Sequence, residues 1–110
     1  MGTSKIGLPH IRIIFDITTV GDGRKTVTSA GTAEPLVAVV TPIQSVAITA
    51  ETDNTGIIVV GGSTVVADLA TRRGVPLNAG ETFPLSVNDL ADIYIDATVS
   101  GDGVTFAYVG

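Results

Sequence analysis

The 110-residue sequence contains no cysteine and no tryptophan, and one histidine, His10. Without cysteine there is no disulfide framework, no thiolate metal site and no cysteine nucleophile. A single imidazole leaves little material for a histidine-based metal cluster or a Ser-His-Asp triad. Charge is also scarce. Only 15% of residues are charged, with six Lys and Arg against eleven Asp and Glu, for a net charge of −5. An acidic chain of this kind does not bind nucleic acid by neutralising phosphates, which needs a basic face. Long apolar runs are missing as well. The longest mainly apolar stretch, Leu36–Val40, ends at Thr41-Pro42, far short of the ~20 residues of a membrane-spanning helix. The opening Met1-Gly2-Thr3-Ser4-Lys5 has no apolar core of a signal peptide.

What is present is β-forming. Val, Ile and Thr supply 41 residues, and branching at Cβ favours the pleated, half-buried surface of a sheet. Thirteen Gly and five Pro divide the chain at short intervals. Many short strands with frequent turn signals predict an all-β fold. The expectation is a small jelly-roll-like β-sandwich, or a barrel, of seven to nine short antiparallel strands. The hydrophobic content of 45% is ample for one core in one domain. The low charge suggests that some surface is covered by a partner.

Along the chain, Ile11–Ile17 alternates, with Ile11, Ile13, Phe15 and Ile17 on one face. Gly21-Asp22-Gly23 reads as a turn, and Lys25–Ser29 and Glu34–Val40 as short strands. Ser45–Glu51 places Val46, Ile48 and Ala50 opposite Ala47 and Thr49. Ile57–Val60 is apolar throughout, as in a strand buried on both faces. Residues 63–80 read as an extended loop with one helical turn within Val66–Arg72, stopped at Arg73-Gly74-Val75-Pro76. Thr82–Val87 contains Pro84 and so predicts an edge strand. Asn88–Asp92 forms a turn or a single 3₁₀ turn. Ile93–Val99 and Val104–Val109 alternate about Gly101-Asp102-Gly103 and read as a terminal hairpin.

Residues 1–25 differ from the remainder. They hold His10 and four of the six cations, Lys5, Arg12, Arg24 and Lys25. This divides the chain into an N-terminal arm with a first strand, 1–25, and a β domain, 26–110. The arm is expected to leave the main domain and lie on a neighbour.

Catalytic and ligand-binding patterns are sparse. Asp92 and Asp96 are spaced to share a strand face, but Asp96 is expected to point to solvent, and no cleft surrounds the pair. The two Gly-Asp-Gly triplets lack the run of alternating oxygen ligands that a calcium loop requires. The glycines between Gly56 and Gly62 are not followed by Lys-Ser/Thr, so they form no P-loop. The five aromatics are too few for a stacking platform. The reading is of a non-enzyme without cofactor or metal. Candidate partner contacts are His10, Arg12, Arg24, Lys25, Arg72 and Arg73.

Three pieces occur in order across 26–110: Asn54-Thr55-Gly56-Ile57-Ile58-Val59-Val60-Gly61, then Pro76-Leu77-Asn78-Ala79-Gly80-Glu81, then Tyr94-Ile95-Asp96-Ala97 continuing through Gly101-Asp102-Gly103-Val104-Thr105-Phe106. This pattern resembles the small β-rich virion proteins of tailed bacteriophages, of the capsid-decoration or head-fibre kind. The resemblance implies a structural protein on the capsid surface, with the major capsid protein as partner and a homotrimeric state. It brings no catalytic residues. A tail or connector component is one alternative. A fibre-base module that recognises host glycans through Tyr94 and Asp96 is another.

Overall fold

The computed structural model describes residues 19–110. Its elements in chain order are β1 (Val20–Thr26), β2 (Glu34–Pro35), β3 (Ser45–Ala50), β4 (Ile58–Gly61), a 3₁₀ turn (Leu69–Thr71), β5 (Val75–Leu77), β6 (Thr82–Ser86), a second 3₁₀ turn (Leu90–Asp92), β7 (Tyr94–Ala97) and β8 (Gly103–Val109). They form two four-stranded sheets, ordered β1-β8-β3-β6 and β2-β7-β4-β5. Every pairing is antiparallel.

The order has a simple logic. β1 pairs with β8, β2 with β7, β3 with β6 and β4 with β5. This is one long antiparallel ribbon, closed at β4–β5 and wrapped so that β8 also meets β3 and β7 also meets β4. The result is an eight-stranded jelly roll. The two sheets share no ladder, so the molecule is a sandwich and not a barrel.

Period-two alternation builds the core between the sheets. Val46, Ile48, Ala50, Val104 and Phe106 point inward from the first sheet, and Ile58, Val60, Leu77, Ile95 and Ala97 from the second. β4 is buried on both faces, as its unbroken apolar run predicts. Val59 points away from the main core into a second cluster with Val65 and Ala67. The three strand prolines lie where a missing donor does least harm, Pro35 in β2, Pro76 in β5 and Pro84 in β6, each an edge strand of its sheet.

Several local expectations are corrected. Gly21-Asp22-Gly23 is not a turn but the middle of β1. A Cβ on Gly21 would lie 2.3 Å from the Tyr108 ring, and one on Gly23 would lie 2.5 Å from the Phe106 ring. These glycines are bare so that aromatic rings on the neighbouring strand can cover them. β1 therefore crosses the 25/26 boundary between arm and domain, and residues 20–26 belong to the sheet.

Glu34–Val40 contributes only Glu34–Pro35 as strand. Leu36 turns into the core, while Val39 and Val40 are exposed on the crossing to the other sheet. Lys25–Ser29 is strand only to Thr26, because the amides of Thr28 and Ser29 bond to the Glu34 carboxylate instead. Val75–Leu77, expected to lie in the extended loop over 63–80 with Val75-Pro76 ending the helical turn, is β5.

The terminal hairpin does not form. β7 and β8 lie in different sheets, and the loop between them bonds to other loops. Gly101 N–H donates to Val27 O at 2.9 Å. Asp102 accepts from Thr55 N at 3.1 Å and Gly56 N at 2.7 Å. The strand expected over Ile11–Ile17 lies outside the described residues.

Candidate functional site

Of the candidate contact residues, the four described ones, Arg24, Lys25, Arg72 and Arg73, do not assemble into one basic patch. His10 and Arg12 lie outside the described residues. Arg24 projects from the outer side of β1 and is engaged by Glu51, through Nε to Oε2 and through Nη2 to Oε1 at 3.1 Å. That pairing raises the guanidinium pKa further above its ordinary value. Lys25, next in the strand, faces the opposite way and pairs with Glu34 at 2.9 Å.

Arg72 and Arg73 belong to the loop between β4 and β5. The Arg72 guanidinium donates twice to Ala67 O, at 3.0 and 2.9 Å, and so closes its own loop. Arg73 exchanges both backbone hydrogen bonds with Val66. Its exposed side chain is, among the described residues, the only cation without a partner.

The carboxylates are also committed. Asp96 does face outward on β7, as alternation requires, but it is fully buried rather than solvated. The turn around Gly31 and the loop at Ala67 close over it. Its Oδ1 accepts from Gly31 N and Ala97 N, and its Oδ2 from Ala67 N, each at 2.8 Å. Three amides engage both oxygens and no part of the side chain is exposed, which keeps it from a sugar beside Tyr94. Tyr94 is itself half-buried against the Val59 cluster. Asp89 accepts from Thr41 N and Ala91 N, both at 2.9 Å, and caps the second 3₁₀ turn. Among the described residues no three His, Asp or Glu side chains converge as a metal site.

The two outer faces differ in a way the loops explain. The outer face of β2-β7-β4-β5 is covered by its own chain, because the β4–β5 loop lays Val65 and Ala67 over Val59. Gly74 permits this close approach. It sits at φ +116°, and a Cβ there would lie 2.7 Å from Val60 O. Among the described residues, none forms such a cover over the outer face of β1-β8-β3-β6. Register places Asp22, Ala107, Ala47 and Pro84 in one row across it, and Arg24, Thr105, Thr49 and Thr82 in the next.

Ala47, Pro84, Ser86, Thr105 and Ala107 are exposed, and β3, β6 and β8 carry no charged residue. A shallow trough of about 390 Å³ runs between Val20, Ser45, Ala47, Pro84 and Ala107. A solvated antiparallel face ordinarily alternates apolar-in with polar-out. Here the outward positions hold alanine, proline, serine and threonine. Sequence reasoning that looks for charge passes over such a surface. The available signal was the absence of Lys and Glu at the outward positions of 45–50, 82–87 and 104–109.

No protein-family model, curated protein or solved structure matches the chain.

Proposed function

We propose that this chain is a structural protein of a bacteriophage virion. In this reading it decorates the capsid surface as a homotrimer and stabilises the shell by binding the assembled lattice of the major capsid protein. The observation that carries the proposal is the outer face of the first sheet, whose strands β3, β6 and β8 carry no charged residue, set against a second sheet that its own loop covers. Small, flat, weakly polar surface of this kind suits burial between proteins. The ordered motifs of the second half, with their resemblance to small phage virion proteins, point the same way.

The proposed action is thermodynamic. A protein that binds the assembled lattice and not its free subunits shifts the equilibrium towards the shell by mass action. Repetition over many sites reinforces the effect. No group acts on a substrate. The jelly-roll architecture is compatible with this role but does not select it, since the same fold serves capsid and lectin domains alike.

The test is the mass of the purified protein by light scattering, followed by titration onto phage capsids that lack it. A trimer that saturates those capsids at many copies is expected. A protein that ignores capsids and forms a ring with tail components overturns the decoration reading.

A further inference from the structure

Each sheet has two edges, and three of the four edge strands are closed to further pairing. β2 is two residues long and contains Pro35, β5 is three residues long and contains Pro76, and β6 contains Pro84. Proline has no N–H to give to a ladder, and short or proline-bearing edges resist strand addition. β1 is the exception. It runs for seven residues without proline, in unbroken register with β8.

The direction of its backbone groups follows from its ends. Thr19 exchanges both hydrogen bonds with Gly110, and Val27 N–H donates to Asp102 O. The odd-numbered residues of β1 therefore bond to β8. Alternation turns the N–H and C=O groups of Val20, Asp22, Arg24 and Thr26 towards the open edge. Among the described residues, no group bonds to them. A row of free donors and acceptors is a template for another strand.

The strands of this sheet carry charge on their outer face only at Asp22 and Arg24. Laid antiparallel against a second copy of itself about Gly23, β1 sets Asp22 opposite Arg24 twice, once on each side of the axis. Val20 then faces Thr26, and Gly23 faces Gly23. This register places all four outward residues in hydrogen-bonded pairs. Sliding the pair by two residues sets Asp22 against Asp22 or Arg24 against Arg24, and like charges directly opposite destabilise a ladder. Arg24 has a donor to spare. Glu51 engages its Nε and Nη2, which leaves Nη1 for a second carboxylate.

We infer that β1 pairs with β1 of a second copy, antiparallel and about Gly23, joining two four-stranded sheets into one of eight strands. The contact is isologous and closes on itself, so it adds to a three-fold contact without replacing it. The inference does not rest on the capsid reading, and capsids enter neither measurement below.

Opposed residues of a hydrogen-bonded pair stand about 5.5 Å apart at Cα, within the span of a disulfide, whereas diagonal neighbours at about 7–8 Å lie beyond it. The chain has no cysteine of its own. Full-length Asp22→Cys mixed with full-length Arg24→Cys under mild oxidation keeps one Asp–Arg pair and brings the two cysteines together. A covalent heterodimer is expected, at least tenfold more abundant than the homodimer of either variant alone. Equal yields, or none, overturn the inference. Separately, Asp22→Arg alone and Arg24→Asp alone oppose like charges, and their equimolar mixture opposes unlike ones. Amide exchange at Val20 and Thr26 is expected to be slow in the wild type and in the mixture, slower as concentration rises, and fast in each variant alone. Fast exchange throughout, or slow exchange indifferent to concentration and charge, overturns the inference, the latter by showing the chain's own residues on that edge.

Discussion

The carboxylate of Asp96 accepts the amide of Ala67 at 2.8 Å, tying the β4–β5 loop onto the outer face of β7. The same side chain holds Gly31 and Ala97, so one buried acid anchors two separate segments. In Asp96→Asn, one oxygen becomes an NH₂ group that meets a backbone N–H. A buried donor left without an acceptor costs about 1–3 kcal/mol. The variant is expected to lose about that much in urea denaturation, with faster hydrogen exchange at Gly31 or Ala67. An unchanged midpoint would show that the loop is held by Val65 and Ala67 packing alone.

The glycines of β1 and β8 should separate by what lies above them. A Cβ on Gly103 would sit 2.5 Å from Lys25 O, which is backbone and cannot turn away. A Cβ on Gly21 meets the outer end of the Tyr108 ring, which is partly exposed and can rotate. Overpacking costs about 1–3 kcal/mol. Gly103→Ala is expected near or above the top of that range and Gly21→Ala near the bottom, read as melting temperatures. The reverse order would contradict the argument.

Glu34 links stability to acid. Burial pushes its carboxyl up, but the amides of Ser29 and Thr28 and the ammonium of Lys25 outweigh burial, and the net pKa lies below the ordinary value. A carboxylate with a depressed folded pKa contributes stability that is complete above the unfolded value of about 4.3 and is lost as pH falls through the folded value. The gap in denaturation midpoint between the wild type and Glu34→Gln is expected to be widest near neutral pH and to shrink below about pH 4. A gap that is constant with pH would remove Glu34 from the acid response.

The β4–β5 loop carries an internal contrast. Leu69 is 77% exposed at its tip, while Arg72 clamps the loop through Ala67 O. Leu69→Ser should alter stability by less than about 0.5 kcal/mol, as for an isolated surface site. Arg72→Ala removes two charge-assisted bonds and is expected to cost about 1–3 kcal/mol. Paired denaturation curves check both, and equal effects would mean that the clamp contributes nothing.

Much of the fold was legible in the residues. Val46, Ile48 and Ala50 face inward because alternation in a strand leaves them no other choice. Ile58, Val59 and Val60 are buried on both sides because none of them is fit for water. Pro84 could stand only at an edge. The outer face was harder to read. Its small residues carry no chemical signature, and they become a surface only when β8, β3 and β6 are set side by side.

The sequence by itself determined the β class, the inward positions, the edge strand at Pro84 and the scarcity of catalytic groups. Each follows from local rules of periodicity, backbone freedom and side-chain chemistry. Only the tertiary structure decided that β7 and β8 part company and that Gly21 and Gly23 sit within a strand. It alone also decided that Asp96 is sealed beneath a loop and that the outer face of one sheet is covered by the β4–β5 loop. Those outcomes depend on contacts between segments far apart in the chain. There a ring from β8, a loop closed by Arg72 or three converging amides override what the local sequence prefers.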